Sequence, residues 1–414
     1  MENLAIHGGK KVREEAFPPR GLLGAEEKAA VDDLFDKAIQ TGNAFGYNGV
    51  PEQEYEKAFA EYMGGGFADA VNSGTNSVFC AIGALNLDAF SEIITPPITD
   101  PGGAMPVIYN GCVPVPADAD PRTFNISPES IAARITERTR AIIVAHIAGE
   151  PADMDPIMDI AAKHNLYVIE DCAQAHGAIY KGRLCGTIGH VAAISTMFGK
   201  HHCTGGQGGV VFTKDEKIHF EGRRFADRGK PFGLTDAPHG NVRAAINCNL
   251  NDLSATIGKV QLAKLPGILE RRRKLGDAVK AALADNPVVQ VGWQLPNTVS
   301  SYWFLRLTVN PDNMKCTKQE FCDALAAEGI PNQKNYRNIP SEQTWFTEQN
   351  TFGKSGFPWQ CSDYKGDRHP SYDMHNAIHA VENNFVIHVN EAFGPKETDD
   401  IIAALQKVAA FYAK

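Results

Sequence analysis

The sequence predicts a doubly wound α/β protein whose mostly parallel sheet forms a large domain, followed by a smaller α+β domain. Between residues 69 and 195, short and continuously apolar strands alternate with amphipathic helices, a pattern typical of a parallel sheet covered on both faces. After Pro287 the pattern changes, and a chain of 414 residues is long enough for two or three domains. We place the large domain, with an N-terminal arm, at 1–266 and the small domain at 267–414.

The first elements lead into a turn that suits an anion. Residues 1–20 form an arm, and the spacing of apolar residues predicts helices over 25–40 and 52–63. A strand at 69–72 then runs through Ser73-Gly74-Thr75-Asn76 into an apolar helix over 77–85. A strand that enters a helix through small residues leaves backbone N–H groups free, which is a ready phosphate site. The same residues equally suit an ordinary helix N-cap, so both interpretations stay open here.

Strand–helix units follow in regular alternation. The predicted strands are 92–96, 113–117, 141–145, 166–170 and 191–195, and the helices between them are 104–109, 127–134 and 156–164. In such sheets ligands lie beyond the carboxyl ends of the strands. Three polar features fall at such ends: the 73–76 turn, Asp171 and the segment 195–200. We therefore expect these features to meet at one edge of the sheet.

The remaining chain is less regular. Helices are predicted over 216–228, 252–265 and 266–284, with a long loop after the first. Strand-like 288–293 and 301–309 then alternate with helices over 318–328 and 395–412. Residues 338–380 contain an aromatic insertion with several glycines, and a loop of that length is usually functional or disordered.

Charge and composition exclude several classes of function. The net charge of −9 gives no electrostatic basis for nucleic-acid binding. Because no long apolar window and no signal peptide are evident, we expect a cytoplasmic protein without membrane contact. The nine cysteines form no CxxC pair, which favours free thiols in a reducing compartment. His201, His202 and Cys203 are adjacent and lack partners at ligand spacing, so no metal site is predicted.

One lysine draws attention in the stretch 194–211, where Lys200 lies between an apolar run and a glycine cluster. An amine at such a strand end can form a Schiff base with an aldehyde, such as that of pyridoxal 5′-phosphate (PLP), if the site lowers its pKa. Lysines beside glycines are more often solvated loop residues, so the prediction depends on the other parts of a PLP site. Asp171 supplies one part, because a buried acid needs a cationic partner and a protonated pyridine nitrogen is one. An aspartate at this place also suits an N-cap or a loop.

These segments resemble the DegT-like (StrS-type) sugar and aminocyclitol aminotransferases, which are fold-type-I PLP-dependent enzymes. The resemblance begins at LAIHGGKKVREEAFPPRG, continues through AVNSGTNSVFCAIGAL and extends to NLNDLSATIGKVQL. Its most specific part runs from ADMDPI to EDCAQAHGA. The resemblance implies a fold-type-I transferase that uses PLP and forms a homodimer with shared active sites.

The resemblance also implies a role for each matching residue. Lys200 matches the lysine that holds the PLP aldehyde, and Asp171 matches the aspartate that pairs with the pyridine nitrogen, so these two are the expected catalytic residues. Gln174 matches a glutamine near the ring hydroxyl and the imine. The phosphate is assigned to Gly74, Thr75, Asn76 and Ser195 and, from the neighbouring subunit, to Asn247.

The position of the family's lysine in this sequence depends on the residue from which one counts. Counted forward from Ser195, Lys200 falls where the family has its lysine. Counted back from GlyGlnGlyGly at 206–209, His201 takes that place, and a one-residue insertion reconciles the two. The choice matters because a branch of the family with histidine there dehydrates keto sugars. We favour Lys200, because histidine cannot form an imine.

Two further positions depart from the family pattern. Asp100 stands where many relatives carry an aromatic residue that stacks on the PLP ring. An acid there could bind substrate hydroxyls or a cationic group, or it could cap a tight turn. Asn249 stands where the family often has arginine, which leaves open how an acidic amino donor is held.

The implied reaction is a ping-pong transamination. An amino acid, Glu or Gln by resemblance, gives its amino group by way of the cofactor to a ketone on a sugar or cyclitol, and the freed Lys200 amine moves the proton. The N-terminal segment and the 338–380 insertion resemble the branch that acts on inososes. His146, His176 and Tyr336–Arg337 are candidates for substrate contact, although each equally suits a structural role. Keto-sugar dehydration and a non-catalytic, PLP-binding or regulatory protein stay as alternatives.

Overall fold

A computed structural model describes residues 3–236 and 239–414 of the chain. Its strands are β1 Phe67–Val71, β2 Glu92–Thr95, β3 Val113–Pro116, β4 Thr139–Ala145, β5 Tyr167–Asp171, β6 Ile179–Tyr180, β7 Arg183–Leu184, β8 Val191–Ser195, β9 Gly209–Thr213, β10 Val289–Val291, β11 Thr298–Val299, β12 Leu305–Val309 and β13 Asn384–Ile387. Its α-helices are α1 Ala25–Thr41, α2 Val50–Tyr62, α3 Gly74–Ala84, α4 Pro106–Tyr109, α5 Pro128–Arg134, α6 Met154–His164, α7 Glu216–Ala226, α8 Asp252–Ala282, α9 Lys318–Ala327, α10 Thr344–Thr347, α11 His375–Asn383 and α12 Pro395–Tyr412.

Seven strands form the central sheet, in the order β1-β9-β8-β5-β4-β2-β3. The pairs from β8 to β3 are parallel, whereas β9 is antiparallel to both of its neighbours, β8 and β1. Because β1 and β8 both oppose β9, they run in the same direction, and the carboxyl ends of β1, β5 and β8 lie at one edge. The predicted, mostly parallel sheet is confirmed. The antiparallel strand β9 was not predicted, because an apolar run does not reveal strand direction.

The continuous apolar strands are explained by burial on both faces of the sheet. Along β4, Ile142 and Val144 belong to a buried cluster that also contains residues of α2, α6 and α8. Ile143, between them, belongs to a second cluster that contains residues of α3 and α7. Since successive side chains of a strand point to opposite faces, each face requires its own apolar residues.

Helix α8 connects the region of the large sheet to the C-terminal part of the chain. The predicted end of a helix at Leu265 is wrong, because Pro266 lies inside α8. A proline removes one helical hydrogen bond, and here the buried residues Leu265, Ile268 and Leu269 hold the helix together on both sides of it. The predicted boundary between 266 and 267 falls within this helix, so the division into 1–266 and 267–414 stays a prediction.

A smaller sheet, β10-β12-β13, lies in the C-terminal part, with a buried cluster formed by Leu4 and residues 275–409. The insertion 338–380 was predicted as a loop, but it contains α10 and the start of α11. Its Phe346, Trp359 and Tyr364 pack against Ile108 and Val113 at the edge of the large sheet. Within the described ranges, no helix has the length and apolar character needed to cross a bilayer.

Three buried carboxyl groups surround one arginine beside β1. Arg223 Nη1 lies 3.1 Å from Asp69 Oδ1 and 3.3 Å from Glu56 Oε2. Asp69 Oδ2 has no hydrogen-bond partner among the described residues. Burial raises the pKa of Glu52 to about 8 and the pKa of Asp69 to about 7. One guanidinium cannot compensate three buried charges, so the cluster retains protons near neutral pH.

The free energy of unfolding is therefore expected to fall as the pH rises from about 5 to about 8. A carboxyl group whose pKa is higher in the folded state stabilises the fold below its unfolded pKa and loses that contribution as the pH passes its folded pKa. Glu52→Gln removes the titration of the Glu52 carboxyl group. The change in the free energy of unfolding between low and high pH should therefore become smaller by on the order of 1 kcal/mol or more. Urea unfolding at pH 6 and pH 8.5 measures the difference, with Glu61→Gln, exposed on the same helix, as the control. The same slope in wild type and Glu52→Gln would contradict the expectation.

Candidate active site

A cavity of about 260 Å³ lies at the carboxyl ends of β1, β5 and β8. The predicted convergence at this edge is therefore present. Of the predicted site residues, those that line the cavity are Gly74, Thr75, Asp171, Gln174, Ser195 and Lys200. Asn76 and Asn247 do not line it.

The β1–α3 turn places a helix N-terminus against Ser195. The Ser73 hydroxyl oxygen accepts the Asn76 backbone N–H at 3.0 Å, so Ser73 is the N-cap and the helix begins at Gly74. The prediction of a helix start at residue 77 is wrong by three residues, because the turn residues form its first turn. A Cβ atom on Gly74 would lie 2.6 Å from Ser195 Oγ, so only glycine allows this approach. Free N–H groups in the first turn and the Ser195 hydroxyl together suit a phosphate.

Asn76 contributes to this turn in another way. Its N–H is already used by the cap, and its Nδ2 donates to Asn72 Oδ1 at 2.6 Å. It therefore stabilises the turn that carries Gly74 and Thr75. Its predicted phosphate contact stays a prediction.

Asp171 and Lys200 form the charged centre of the cavity. Asp171 ends β5, and its Oδ1 accepts the Ala173 N–H at 3.0 Å. Burial raises the pKa of Asp171, partly offset by that N–H and by Lys200. Burial lowers the pKa of Lys200 to about 8, against the opposing effect of Asp171 and Asp100. A lysine with this pKa is partly uncharged near neutral pH and is therefore a competent nucleophile.

Lys200 and His201 have different surroundings. His201 is fully buried outside the cavity, with its Nε2 2.9 Å from the Ser301 carbonyl oxygen. Arg20 donates to the carbonyl oxygen of His201 at 3.1 Å, which holds the backbone in place. The geometry thus favours the count from Ser195, which selects Lys200.

Gln174 is held at both ends of its amide. Its Oε1 accepts the Ala148 N–H at 2.9 Å, and its Nε2 donates to the Tyr336 hydroxyl at 2.7 Å. Tyr336, considered above as a substrate contact, therefore positions Gln174. Arg337, the other residue of that pair, instead forms an ion pair with Glu342 on the surface.

His146 lines the cavity wall, but both of its ring nitrogens form hydrogen bonds within the protein. Its Nδ1 accepts the Ala152 N–H at 3.0 Å, so the proton of the ring lies on Nε2, 3.1 Å from Glu170 Oε2. Together with Cys185 these groups lie within 4.8 Å of one another, a spacing that would suit a metal ion. The chemistry does not fit, because Nε2 carries a proton and Glu170 accepts three further backbone N–H groups.

His176 lies outside the cavity in a second buried group. Its Nδ1 is 3.2 Å from His202 Nδ1, and His202 Nε2 is 2.9 Å from the Tyr55 hydroxyl. Burial lowers the pKa of both histidines, so these rings are neutral. The predicted substrate contact of His176 is not supported by this placement.

The sequence did not reveal two neighbours of the site. Trp303 lies with its ring centroid 4.0 Å from Lys200 Nζ, and its Nε1 donates to the Gly199 carbonyl oxygen. The second neighbour is Asn338. Its carbonyl oxygen accepts the Thr99 N–H at 2.8 Å, and this bond anchors the turn that follows Thr99. Both contacts join residues far apart in the chain, so no local pattern predicts them.

Asn247 lies on the surface, and its amide orientation is fixed. Its Oδ1 accepts the Asn249 backbone N–H at 3.0 Å and the Asn249 Nδ2 at 2.8 Å. Because a backbone N–H requires an acceptor, the Asn247 oxygen must face Asn249. The amino group of the amide is then free to donate outward, and Asn249 acts as its support.

A lysine of lowered pKa, a buried acid at the next strand end, and a helix N-terminus beside a serine are the parts of a PLP site on a fold-type-I scaffold. This is the class of enzyme that the fold and the cavity define. The chain belongs to the DegT/DnrJ/EryC1/StrS aminotransferase family, whose model matches residues 25–406. Enzymes of this family depend on PLP, so PLP is the cofactor of this chain.

Individual relatives agree with this assignment. The chain is 37% identical over 222 residues to the GDP-perosamine synthase of Caulobacter vibrioides, a match covering 54% of this chain and 59% of that protein. It is 34% identical over 304 residues to the L-glutamine:2-deoxy-scyllo-inosose aminotransferase of Streptomyces lividus, covering 70% and 69%. The X-ray structure of the aminotransferase from Psychrobacter cryohalolentis matches with a TM-score of 0.83 at 29% identity, covering 96% and 99%. The family resemblance and the fold class predicted from the sequence are confirmed.

Proposed function

We propose that this chain transfers an amino group from an amino acid, Glu or Gln, to a ketone on a sugar or cyclitol. The observation that carries the proposal is the buried Lys200 amine in one cavity with Asp171. The relatives support the substrate class, since one is named a GDP-perosamine synthase and the other an aminotransferase of 2-deoxy-scyllo-inosose. The printed name of the second relative also specifies L-glutamine, which supports an amino-acid donor of this kind.

The residues of the chain divide the work of the reaction. When bound, PLP supplies an electron sink for the carbon that loses its proton. Lys200 would hold the cofactor aldehyde and, once released, its amine would move a proton from the donor carbon to the cofactor carbon. With the ketone, the same amine would move a proton from the cofactor carbon to the acceptor carbon. The lowered pKa of Lys200 makes both steps accessible near neutral pH. Asp171 keeps the ring nitrogen protonated, because its buried carboxylate requires a cationic partner.

The remaining contacts hold the cofactor in place. The first-turn N–H groups of α3 at Gly74 and Thr75, with the Ser195 hydroxyl, would bind the phosphate. Gln174 is fixed by Ala148 and Tyr336 and would lie beside the ring hydroxyl, as the family resemblance implies. His201 does not face the cavity, which supports transamination over the dehydration carried out by the branch with histidine in place of lysine.

Absorbance of the holoenzyme tests the proposal. Glutamate or glutamine should bleach the cofactor band, and a 2-oxo acid should restore it. Bleaching gives the donor half-reaction directly, without knowledge of the acceptor. If a keto sugar loses water and gains no amino group, the dehydratase alternative is supported, whether or not glutamate bleaches the band. If no amino acid bleaches the band and no keto sugar loses water, the non-catalytic alternative is supported.

We further propose a homodimer with shared active sites. Among the described residues the amino group of the Asn247 amide has no hydrogen-bond partner, and Ile246 beside it is 55% exposed. An outward donor and an apolar neighbour suit a contact with a second copy, where Asn247 would reach the phosphate of the partner.

Mixed dimers test this arrangement. Lys200→Ala and Asn247→Ala chains are co-expressed with different tags, and each is expected to be weakly active alone. A mixed dimer has one site with Lys200 in one chain and Asn247 in the other, so random mixing should restore about a quarter of wild-type activity. If Asn247 served its own chain, the mixture would show only the mean of the two variants.

We also infer a cytoplasmic location. All nine cysteines are free, and seven of them are buried. Free thiols in this number are typical of a reducing compartment.

A further inference from the structure

Asp100 brings into the cavity a carboxylate that the proposed transamination does not use. It lines the cavity together with Asp171 and Lys200, and its side chain is open to solvent. Its Oδ1 accepts the Gly102 N–H at 3.0 Å. Across the described part of the chain, its Oδ2 has no hydrogen-bond partner, and no lysine or arginine forms an ion pair with it.

Capping of the turn accounts for only one of the two carboxylate oxygens of Asp100. Asp100 is the N-cap of the short turn Pro101–Gly103, and one acceptor oxygen is sufficient for that role. Asparagine or serine would supply such an oxygen without a charge. The turn is also held rigidly, by the fixed φ of Pro101 and by the bond from Thr99 to Asn338. The result is a charged group fixed in position, with one oxygen available.

The charges around the cavity are unequal. Of the lysines and arginines in the described part of the chain, only Lys200 lines the cavity, whereas Asp171 and Asp100 both line it. In the holoenzyme proposed above, Lys200 would be bonded to the cofactor and Asp171 would pair with the ring nitrogen, so neither would neutralise Asp100. Burial lowers the pKa of Lys200 and raises that of Tyr336, and the nearby charge of Asp100 contributes an upward effect to both. A ring that fills the cavity would strip water from this carboxylate, at a cost unless a cation replaces it.

We propose that Asp100 selects an acceptor ring that carries a protonated amino group besides the reacting ketone, that is, an amino sugar or an aminocyclitol. The proposal rests on the function proposed above and specifies its substrate class. An ammonium group matches the charge and donates a charge-assisted hydrogen bond to the available oxygen. A hydroxyl at the same ring position would donate a neutral bond to the carboxylate and leave its charge uncompensated. The ring with the amine should therefore be preferred by about tenfold or more.

The reverse half-reaction of the holoenzyme measures this preference. The probes are 1-amino-1-deoxy-scyllo-inositol and 1,3-diamino-1,3-dideoxy-scyllo-inositol, which differ in one hydroxyl-to-amine replacement. For a probe that reacts, the measured quantity is the bleaching rate divided by the concentration of the probe. For a probe that does not react, it is the inhibition constant of the probe in the glutamate reaction. Wild type should prefer the diamine by about tenfold, beyond the factor of two given by two equivalent amines. Asp100→Asn keeps the capping oxygen and should remove the preference, while Asp36→Asn, exposed on α1, should retain it.

Three outcomes would overturn the proposal. The first is the absence of a diamine preference in wild type. The second is the same preference in Asp100→Asn. The third is a slowing of the glutamate reaction in Asp100→Asn as large as that of the diamine, which would assign the carboxylate to the donor.

The measured ratio isolates Asp100 from its neighbours. Removing its charge also changes Lys200, but that change affects both probes equally and cancels in the ratio. Failure of the proposed function has a different signature, because a holoenzyme that glutamate and glutamine do not bleach would count against transamination itself.

Discussion

Replacing Lys200 by alanine is expected to remove the borohydride-reducible cofactor band and to lower turnover by at least about 10³-fold. The residue has two roles, since it binds the cofactor aldehyde and moves the proton, and alanine performs neither. The band is measured by absorbance before and after borohydride. Turnover is measured by the glutamate half-reaction with excess PLP.

His201→Gln is the matched control for the adjacent position. Glutamine removes the ring but keeps a donor for the Ser301 carbonyl oxygen. This variant should retain the band, and circular dichroism verifies that both proteins fold. A reducible band that survives in Lys200→Ala would show that the lysine assignment is wrong.

Asp171→Asn should lower the rate of the donor half-reaction by about 10² to 10³-fold. The protonated ring nitrogen of the cofactor loses its buried carboxylate partner, so the ring becomes a weaker electron sink. The same substitution should raise the thermal midpoint of the apoenzyme. Burial raises the pKa of Asp171, so the group stabilises the folded apoenzyme only at low pH and loses that contribution as the pH rises. An uncharged amide avoids the cost of that buried charge.

Two measurements separate these effects. Thermal unfolding of the apo and holo forms at pH 8 gives the stability change, and stopped-flow absorbance gives the rate. Asp171→Glu, which keeps the charge, should recover part of the activity. Asp171→Asn with wild-type rates would exclude a role for this carboxylate in the chemistry.

The elements with strong local signals were predicted closely. Helix α12 was predicted over 395–412, which are its observed limits. Pro395 at its first turn and Glu397, which accepts the Gly394 N–H at 2.9 Å, define its start. The sheet strands near the site were placed to within one or two residues, since their apolar runs are bounded by polar turns.

The features that were missed depend on distant contacts. Trp303 reaches Lys200, and Tyr336 reaches Gln174, through the folding of the C-terminal region against the large sheet. No spacing within either segment indicates these contacts. Helix α8 likewise passes through Pro266 because packing on both sides of the proline outweighs the lost hydrogen bond. Among the cavity residues, Asp171 and Ser195 were accessible from the sequence because each ends a strand, and Gly74 because it starts a helix.

The insertion 338–380 has a consequence for how the protein behaves in concentrated solution. Strand β3 is the last strand of the large sheet, and an exposed apolar edge invites pairing with other chains. Phe346, Trp359 and Tyr364 cover the apolar residues Ile108 and Val113 at this edge. The insertion therefore reduces the exposed apolar surface through which copies of the chain could aggregate. Shortening the insertion would expose Ile108 and Val113, and we expect the solubility of the protein to fall.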